Sequence, residues 1–254
     1  MATKKTSSKI TNSEDMQIDS FSLVSASNTL IAGRQSLKPN EAKLVRLCIA
    51  QIMENDVAFK PYKITISELA NLLGLKNSSS LYRDIKDMCE HIVAKPILIS
   101  SGKSWKAFPW VSYCEYIDNT STVTIKLNDE LKPFLLELKE REFYTKYAIS
   151  NILQFKNIYT IRLYELLQVK LTGRIPMTSS IGPLRLSVQE IREACECLDK
   201  YEKFGMFKAS VIEPAVDEIN STTTYSVSYD CVREGRKVMY IDFTISSRFG
   251  VTDR

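Results

Sequence analysis

The last third of the chain holds a helix-forming stretch, Tyr201–Asn220, with one apolar side and one small, cationic side. Phe204, Val211, Ala215 and Ile219 recur at helical spacing and predict a buried face. Cations in the N-terminal half of such a helix suit contacts with phosphates and base edges in a DNA groove. The alternative is an ordinary amphipathic helix with a solvated charged face. The candidate DNA contacts here are Lys200, Lys203, Lys208 and Ser210.

Two alternating strands follow the helix and are joined by a cationic turn. Tyr225–Tyr229 and Val238–Thr244 alternate apolar and polar residues, as strands with one buried face do. Between them, Arg233–Lys237 combines three cations with Gly235, which predicts a tight hairpin turn. Such a turn beside a recognition helix supplies phosphate contacts that fix the position of the helix on the duplex. A solvated turn without a partner is the alternative. The candidate contacts are Arg233, Arg236 and Lys237.

The first half of the chain carries another helix-turn-helix pattern. Ser67 predicts the cap of a short helix that ends at Gly74, and a second helix is predicted at Leu81–Ala94. A hairpin follows, with a cationic, Gly-containing tip at Ser101–Lys106 that we interpret as the wing. The candidate contacts are Ser80, Arg83 and Lys86 on the second helix and Lys103 and Lys106 at the hairpin tip.

The order of elements in the first half returns after a loop rich in Gly, Pro, Ser and Thr at Gly173–Pro183. Leu184–Ile191 matches Ile64–Leu69 as a strand, a helix cap and an acidic first turn, and two helices and a hairpin follow each. The sequence therefore predicts an α+β fold of two tandem winged-helix domains related by an internal pseudo-repeat. The predicted divisions are a mobile N-terminal tail at 1–27, domain 1 at 28–139, domain 2 at 140–246 and a C-terminal tail at 247–254.

Composition sets the class of protein and leaves DNA binding to local charge. With 254 residues, 44% of them apolar and 25% charged, the chain is long enough for two globular domains. The formal net charge is only +4, so a nucleic-acid surface must arise from segregated charge. The six cysteines are predicted to be free thiols in a reducing cytosol, and no apolar segment reaches the length of a membrane span.

A catalytic role finds no support in the residue pattern. A DNA-nicking protein with a tyrosine nucleophile needs a metal held by paired histidines, and His91 is the only histidine. Cys195 and Cys197 lack the spacing of a zinc knuckle, and no P-loop, G-x-S-x-G or H-E-x-x-H motif occurs. We therefore expect no enzyme activity, no metal and no cofactor.

Six motifs spread over the chain are characteristic of one family. The most specific are Tyr159–Leu167, which contains the run I-R-L-Y-E-L-L, and Phe204–Asn220. The others are Leu37-x3-Glu41, Trp110–Ser112, Leu131-x-Pro133–Leu135 and Gly235–Val238. Through these motifs the chain resembles, from about Asn28 to Ile245, the plasmid replication initiator (Rep) proteins that bind iteron repeats with two winged-helix domains. Pro214 interrupts the last helix in the family pattern as well, so we expect a kink or local break there.

The resemblance implies a DNA-binding role at a plasmid origin. Members of that family bind double-stranded iterons as monomers, and as dimers they often bind an inverted repeat in their own promoter and repress it. The C-terminal domain supplies the main base contacts, while the N-terminal domain contacts the DNA backbone and forms much of the dimer interface. Host initiator and replicative helicase are the implied protein partners, and no membrane is involved. A winged-helix transcriptional regulator without an origin function is the alternative, because the fold predicts the same contacts.

Overall fold

The structure, a computed structural model, describes residues 14–18, 22–76, 78–101, 103–138, 143–171 and 180–247. Its elements form three groups along the chain, of which the second connects the other two. The first group comprises β1 (Glu14–Asp15), β2 (Leu23–Ser27), α1 (Asn28–Ala32), β3 (Arg34–Gln35), α2 (Pro39–Ala50), β4 (Tyr62–Thr65), α3 (Ile66–Leu73), α4 (Leu81–Ile92), β5 (Pro96–Ser101), β6 (Ser104–Pro109), β7 (Val111–Ile117) and β8 (Thr122–Leu127). The second comprises α5 (Lys132–Leu135), β9 (Tyr144–Ala148), α6 (Ile149–Gln154) and α7 (Ile158–Leu171). The third comprises β10 (Ile181–Ser187), α8 (Val188–Ala194), α9 (Phe204–Phe207), a π-helical segment (Lys208–Ile212), α10 (Glu213–Thr222), β11 (Tyr225–Glu234) and β12 (Lys237–Ser247).

Two sheets repeat one plan and define the two domains. In domain 1 the strand order is β1–β4–β8–β7, and in domain 2 it is β10–β12–β11. In each sheet the strand before the helix-turn-helix pairs antiparallel with the last strand of the following hairpin, β4 with β8 and β10 with β12. Helices α3 and α4 therefore correspond to α8 and to the helix formed by α9 and α10. The predicted α+β fold, two tandem winged-helix domains related by a pseudo-repeat, is confirmed.

Matching capping boxes begin the first helix of each helix-turn-helix. In domain 1, Thr65 Oγ1 accepts a hydrogen bond from the Glu68 N–H and the Glu68 carboxylate accepts one from the Thr65 N–H, at 3.2 and 3.1 Å. Ser187 and Glu190 do the same in domain 2, at 3.0 and 2.7 Å. The cap predicted at Ser67 is wrong, because the acidic residue three positions after Thr65 closes the box and α3 starts immediately after Thr65.

The wing of domain 1 is the hairpin β7–β8. The sequence pattern predicts the wing at the cationic tip Ser101–Lys106, and that prediction is wrong. That tip joins β5 and β6, which pair with each other in a separate sheet whose third strand, β3, pairs with β5. Because β8 pairs with β4, the β7–β8 hairpin takes the place that β11–β12 holds in domain 2. Its turn, Asp118–Ser121, carries no cation. Which of the two successive hairpins is the wing depends on pairing between strands that are distant in the sequence. Local residue patterns do not encode that pairing.

Part of the segment predicted as a mobile tail belongs to the core of domain 1. β2 pairs antiparallel with β9, and its side chains Val24 and Ala26 are buried. The prediction is therefore wrong for residues 23–27, because burial of these apolar side chains fixes the strand, and for residues 14–15, which pair with β4 as strand β1. The domain boundary predicted at 139/140 falls just before β9, the partner of β2. Ser247, counted in the predicted C-terminal tail, ends β12, while residues 1–13, 19–21 and 248–254 lie outside the described ranges.

A buried ionic network runs from domain 1 into α7. The Glu165 carboxylate accepts two hydrogen bonds from Arg46, at 2.9 and 3.0 Å, one from the Tyr147 hydroxyl at 2.6 Å and one from Arg162. Arg46 also donates to the side-chain carbonyl of Gln35 at 2.9 Å, and all five side chains are buried. Burial alone would raise the pKa of Glu165, but the charges of the two arginines outweigh burial and hold that pKa below its ordinary value.

Arg162 extends this network into domain 2. Its guanidinium donates to the carbonyls of Ile31 (2.6 Å) and Gly33 (2.9 Å) at the end of α1, and to the carbonyl of Ala194 (2.9 Å) at the end of α8. Carbonyls at helix C-termini lack intrahelical donors, so one arginine satisfies free acceptors in both domains. The side chain thereby links domain 1 to domain 2 through α7.

We predict that Glu165→Gln lowers the free energy of unfolding by about 3–5 kcal/mol, because two guanidiniums then stay buried without their counter-charge. Urea unfolding followed by circular dichroism measures this change. Glu14→Gln is the control, since the ion pair of Glu14 with Lys60 is exposed and its loss alters stability by less than about 1 kcal/mol. Equal effects of the two substitutions would refute the structural role given to the network.

Candidate nucleic-acid interface

The candidate recognition helix of domain 2, called the reading helix from here on, runs from Phe204 to Thr222 through α9, the π-helical segment and α10. Of the four residues predicted for its apolar face, Val211, Ala215 and Ile219 are buried and Phe204 is half-buried. The helix begins three residues later than predicted, because Tyr201 has a positive φ of 54° and Lys203 is the N-cap. The other side of the helix carries exposed Lys203, Met206 and Ala209 and half-buried Lys208 and Ser210.

Pro214 accounts for the π-helical segment that precedes it. A proline inside a helix has no N–H to donate, and its ring collides with the carbonyl four residues earlier, here that of Ser210. A wider π turn relieves this collision, so the helix continues through Pro214 instead of ending. The local break expected at Pro214 takes the form of this turn.

Lys208 is paired within the molecule. Its ammonium lies 3.1 Å from a carboxylate oxygen of Glu213 and 5.8 Å from the ring centroid of Tyr229 on β11. The hydrogen bond to Glu213 raises the pKa of Lys208. In this conformation the ammonium of Lys208 is paired with the Glu213 carboxylate. Lys208 can therefore contact a base only after this ion pair opens.

The wing of domain 2 presents three exposed cations at its turn. Glu234 pairs with Lys237, which leaves the two-residue turn Gly235-Arg236, and Gly235 has a φ of +61°. A positive φ favours glycine, and turns of this kind match the twist of the strands they join. Within the ranges that the structure describes, Arg233, Arg236 and Lys237 have no ion-pair partner, so their charges are free to meet phosphates.

Arg192 fixes the turn between α8 and the reading helix. Its guanidinium donates to the carbonyls of Cys197 (3.1 Å), Lys200 (2.7 Å) and Tyr201 (2.7 Å), and it lies 4.3 Å from the ring centroid of Phe207. The contact sets the position of exposed Lys200 and of the N-terminus of the reading helix. No motif marks this arginine; its only signal in the sequence is a cation in the last turn of a predicted helix.

The predicted contacts of domain 1 lie on two separate surfaces. Arg83 and Lys86 are exposed on α4, whose opposite face is buried. Ser80 is half-buried and donates to Asp84 at 2.9 Å, so its hydroxyl is already engaged at the start of α4. The two candidates on the β5–β6 hairpin are exposed but belong to a different sheet from the wing: Lys103 and Lys106.

Two polar side chains on α10 hold the reading helix against its surroundings. The Glu218 carboxylate accepts hydrogen bonds from the backbone N–H groups of Lys156 (2.6 Å) and Asn157 (3.3 Å), just before α7. The Asn220 amide donates to the Val227 carbonyl and accepts from the Val227 N–H, at 2.9 and 2.6 Å. These bonds fix the reading helix relative to α7 and to the wing, roles that the sequence motif does not reveal.

Other kinds of site have little support in the described ranges. No group of three His, Cys, Asp or Glu side chains is arranged there to hold a metal ion. The six cysteines are free thiols; four are buried, Cys114 is half-buried and Cys231 is exposed. None of the helices in those ranges combines the length and apolarity that crossing a bilayer requires.

Comparison with known proteins assigns both domains to one family. A family model described as initiator replication protein, WH1, matches residues 23–168, and one described as initiator Rep protein, WH2, matches residues 187–245. A curated replication initiation protein of Escherichia coli is 21% identical over 229 residues, which cover 88% of this chain and 69% of that protein.

A solved structure shares the fold over nearly the whole chain. The Pi initiator protein, solved in complex with iteron DNA, matches with a TM-score of 0.75 at 19% identity, over 91% of this chain and 99% of that one. The resemblance inferred from the motifs is thereby confirmed. The two family matches span most of the sequence and fall on the two winged-helix domains, so this chain belongs to the family of initiator replication (Rep) proteins.

Proposed function

We propose that this protein initiates plasmid replication by binding double-stranded iteron repeats at the origin, in the bacterial cytoplasm. The observation that carries the proposal is the pairing, in domain 2, of an exposed helix surface with a wing whose turn presents three exposed cations. Family membership supports the replication role, and the Pi initiator, which shares the fold, was solved with iteron DNA. The function requires recognition and no bond-making step, so we propose no catalytic residue, metal or cofactor.

The parts of the DNA-binding surface have different tasks in this proposal. Lys203 and Ser210 on the reading helix face base edges, where a good bidentate contact discriminates by about 1–3 kcal/mol. The wing cations contact phosphates, which position the helix and make affinity depend on salt. In domain 1, Arg83 and Lys86 on α4 contact the DNA backbone. This division suits a chain of net charge +4, because the cations are concentrated where the duplex lies.

We further propose a homodimer, in equilibrium with the monomer, that forms through domain 1 and binds an inverted repeat in the promoter of its own gene. β6 is the outer strand of the sheet β3–β5–β6, so its outward backbone groups have no strand partner in the part of the chain described. Trp105 on this strand is 68% exposed. A second copy added at this edge would extend the sheet by a strand and cover the ring. Host initiator and replicative helicase are proposed as further partners on the basis of the family.

A winged-helix regulator without an origin function is the second candidate, because it would use the same helix and wing. The arrangement of bound sites separates the two functions. An initiator protects regularly spaced direct repeats, which at about 20 base pairs place successive monomers on one face of the duplex. A regulator protects only an inverted repeat upstream of its gene.

We predict that Arg236→Ala and Lys237→Ala each weaken binding to iteron and unrelated duplexes by a similar factor, because phosphate contacts carry no sequence information. Each substitution should reduce the slope of log affinity against log salt by about 0.9. Footprinting on the protein's own origin, with affinities measured at several salt concentrations, checks both points. Lys170→Ala is the control, since Lys170 lies on α7, 3.7 Å from Glu190. Salt slopes identical to that of the wild type would show that the wing does not touch DNA.

We predict opposite effects for the two members of the Lys208–Glu213 pair. Lys208→Ala should lower affinity for the iteron about tenfold or more through a lost base contact. Glu213→Ala should raise affinity, because it releases the ammonium and removes a charge that repels DNA. Electrophoretic mobility shifts with iteron and scrambled duplexes measure both changes. Equal losses in the two variants, together with lower thermal stability, would assign the pair to folding.

We predict that Trp105→Ser shifts the equilibrium toward the monomer, because the proposed dimer buries this ring. Sedimentation velocity over a range of protein concentrations measures the shift, and footprints should keep the direct repeats while losing the inverted repeat. Val57→Ser is the control, since Val57 is a 90% exposed apolar residue outside the strands of the sheet β3–β5–β6. An unchanged dimerisation constant would exclude this edge as the interface.

A further inference from the structure

Helix α2 buries two cations whose surroundings differ sharply. Arg46 donates to Glu165 and Gln35 and is fully paired. Lys43, three residues earlier, is 3% exposed, yet within the described ranges its ammonium makes one hydrogen bond, at 3.5 Å to the Leu73 carbonyl, and no ion pair. An ammonium carries three donors, and leaving them unmet in a buried position is unfavourable. Lys43 is therefore short of acceptors.

The groups around Lys43 do not supply the missing acceptors. Burial lowers the pKa of Lys43; among nearby charges Glu218 opposes this and Lys156 adds to it. The Glu218 carboxylate is already engaged by the N–H groups of Lys156 and Asn157. The carboxylate that acts on the charge of Lys43 is thus committed to holding the reading helix.

The side chain of Lys43 lines an open cavity of about 740 Å³ between the start of α2, the end of α3 and α4. This volume lies within the range of about 300–1,000 Å³ that small-molecule sites occupy. Three exposed lysines, Lys38, Lys76 and Lys156, line the same cavity. The N-terminus of α2, a helix of 12 residues, also faces it and adds a positive partial charge.

The carboxylates on the cavity wall leave this positive character largely intact. Glu41 is occupied, because it accepts from the Lys38 N–H at 2.7 Å and lies 3.0 Å from the Lys95 ammonium. Asp84 accepts from a serine hydroxyl at 2.9 Å. Asp87 remains on the α4 side. Four lysines and a helix N-terminus thus surround a space in which one buried ammonium makes a single long hydrogen bond within the described ranges, which favours an anionic ligand.

We propose that this cavity binds a phosphate-bearing ligand, with Lys43 as the buried contact and Lys38, Lys76 and Lys156 as the surrounding charges. A phosphate group offers several acceptor oxygens to converging ammonium donors, which a single carboxylate matches less well. Its source is a free phosphate or nucleotide, or a backbone phosphate of DNA that passes α4. The site is separate from the reading helix and wing of domain 2. With a free phosphate or nucleotide as ligand it does not depend on the iteron proposal, whereas with DNA as ligand it rests on that proposal.

The first experiment measures thermal unfolding of the full chain with inorganic phosphate or ATP, against sodium chloride at matched ionic strength. A free ligand at about ten times its Kd should raise Tm by about 3–5 °C in the wild type. The shift should be absent in Lys43→Met, reduced in Lys156→Gln and unchanged in the surface control Lys146→Met. Lys43→Met should fold, because methionine has a similar shape and needs no acceptors.

The second experiment distinguishes DNA as the source and completes the test. If Tm does not respond to phosphate or ATP, Lys43→Met should weaken binding to iteron and unrelated duplexes equally and reduce the salt slope by about 0.9. If the wild type binds iterons normally and Lys43→Met changes neither the Tm response nor the salt slope, the inference about this cavity is overturned. The proposed function is then unaffected. A Tm shift with free phosphate in a chain that binds no duplex would overturn the proposed function and leave this site standing.

Discussion

One buried carboxylate, that of Glu165, sets the relation between the two domains. The guanidiniums of Arg46 and Arg162 flank it, and the Tyr147 hydroxyl is its third donor. Two cations around one anion leave excess positive charge in the core. The carbonyls at the ends of α1 and α8 stabilise this charge by accepting hydrogen bonds from Arg162. Because desolvated charge is costly, the arrangement is stable only with every partner in place. Domain 1, α7 and domain 2 are therefore fixed around a single side chain.

The DNA-binding elements lie on both sides of this fixed point. α8 ends at the carbonyl held by Arg162, and the turn that Arg192 holds follows directly and leads into the reading helix. Glu218 supplies a second connection from that helix to the start of α7. A partly exposed ion pair between Arg34 and Glu196, at 3.1 Å, spans the same two domains, but exposed pairs contribute little. The buried arginine dominates, so movement of one domain relative to the other must break its bonds first.

Local signals in the sequence predict the parts of the fold that are decided locally. The apolar face of the reading helix, the strand–cap–helix repeat and the glycine turn of the second wing all follow from spacing within about 20 residues. The wing of domain 1 does not, because two successive hairpins look alike until β8 pairs with β4. The buried network is hidden for a related reason: Arg162 and Glu165 lie in a quoted motif, but charged residues in a helix are expected on its surface. Their partners are more than 100 positions away in Arg46 and Ile31.

The π turn before Pro214 has a consequence for how this surface changes between relatives. A π turn holds one residue more than an α-helical turn, and one residue corresponds to about 100° of rotation about the helix axis. The N-terminal part of the helix, with Lys203 and Met206, is therefore turned by that angle relative to the buried apolar face of α10. Losing one residue there would swing a different set of side chains toward the duplex while the core contacts of α10 stayed in register. A single-codon deletion there would therefore change which side chains of α9 face outward, but it would also move Phe207 out of its buried position against Arg192.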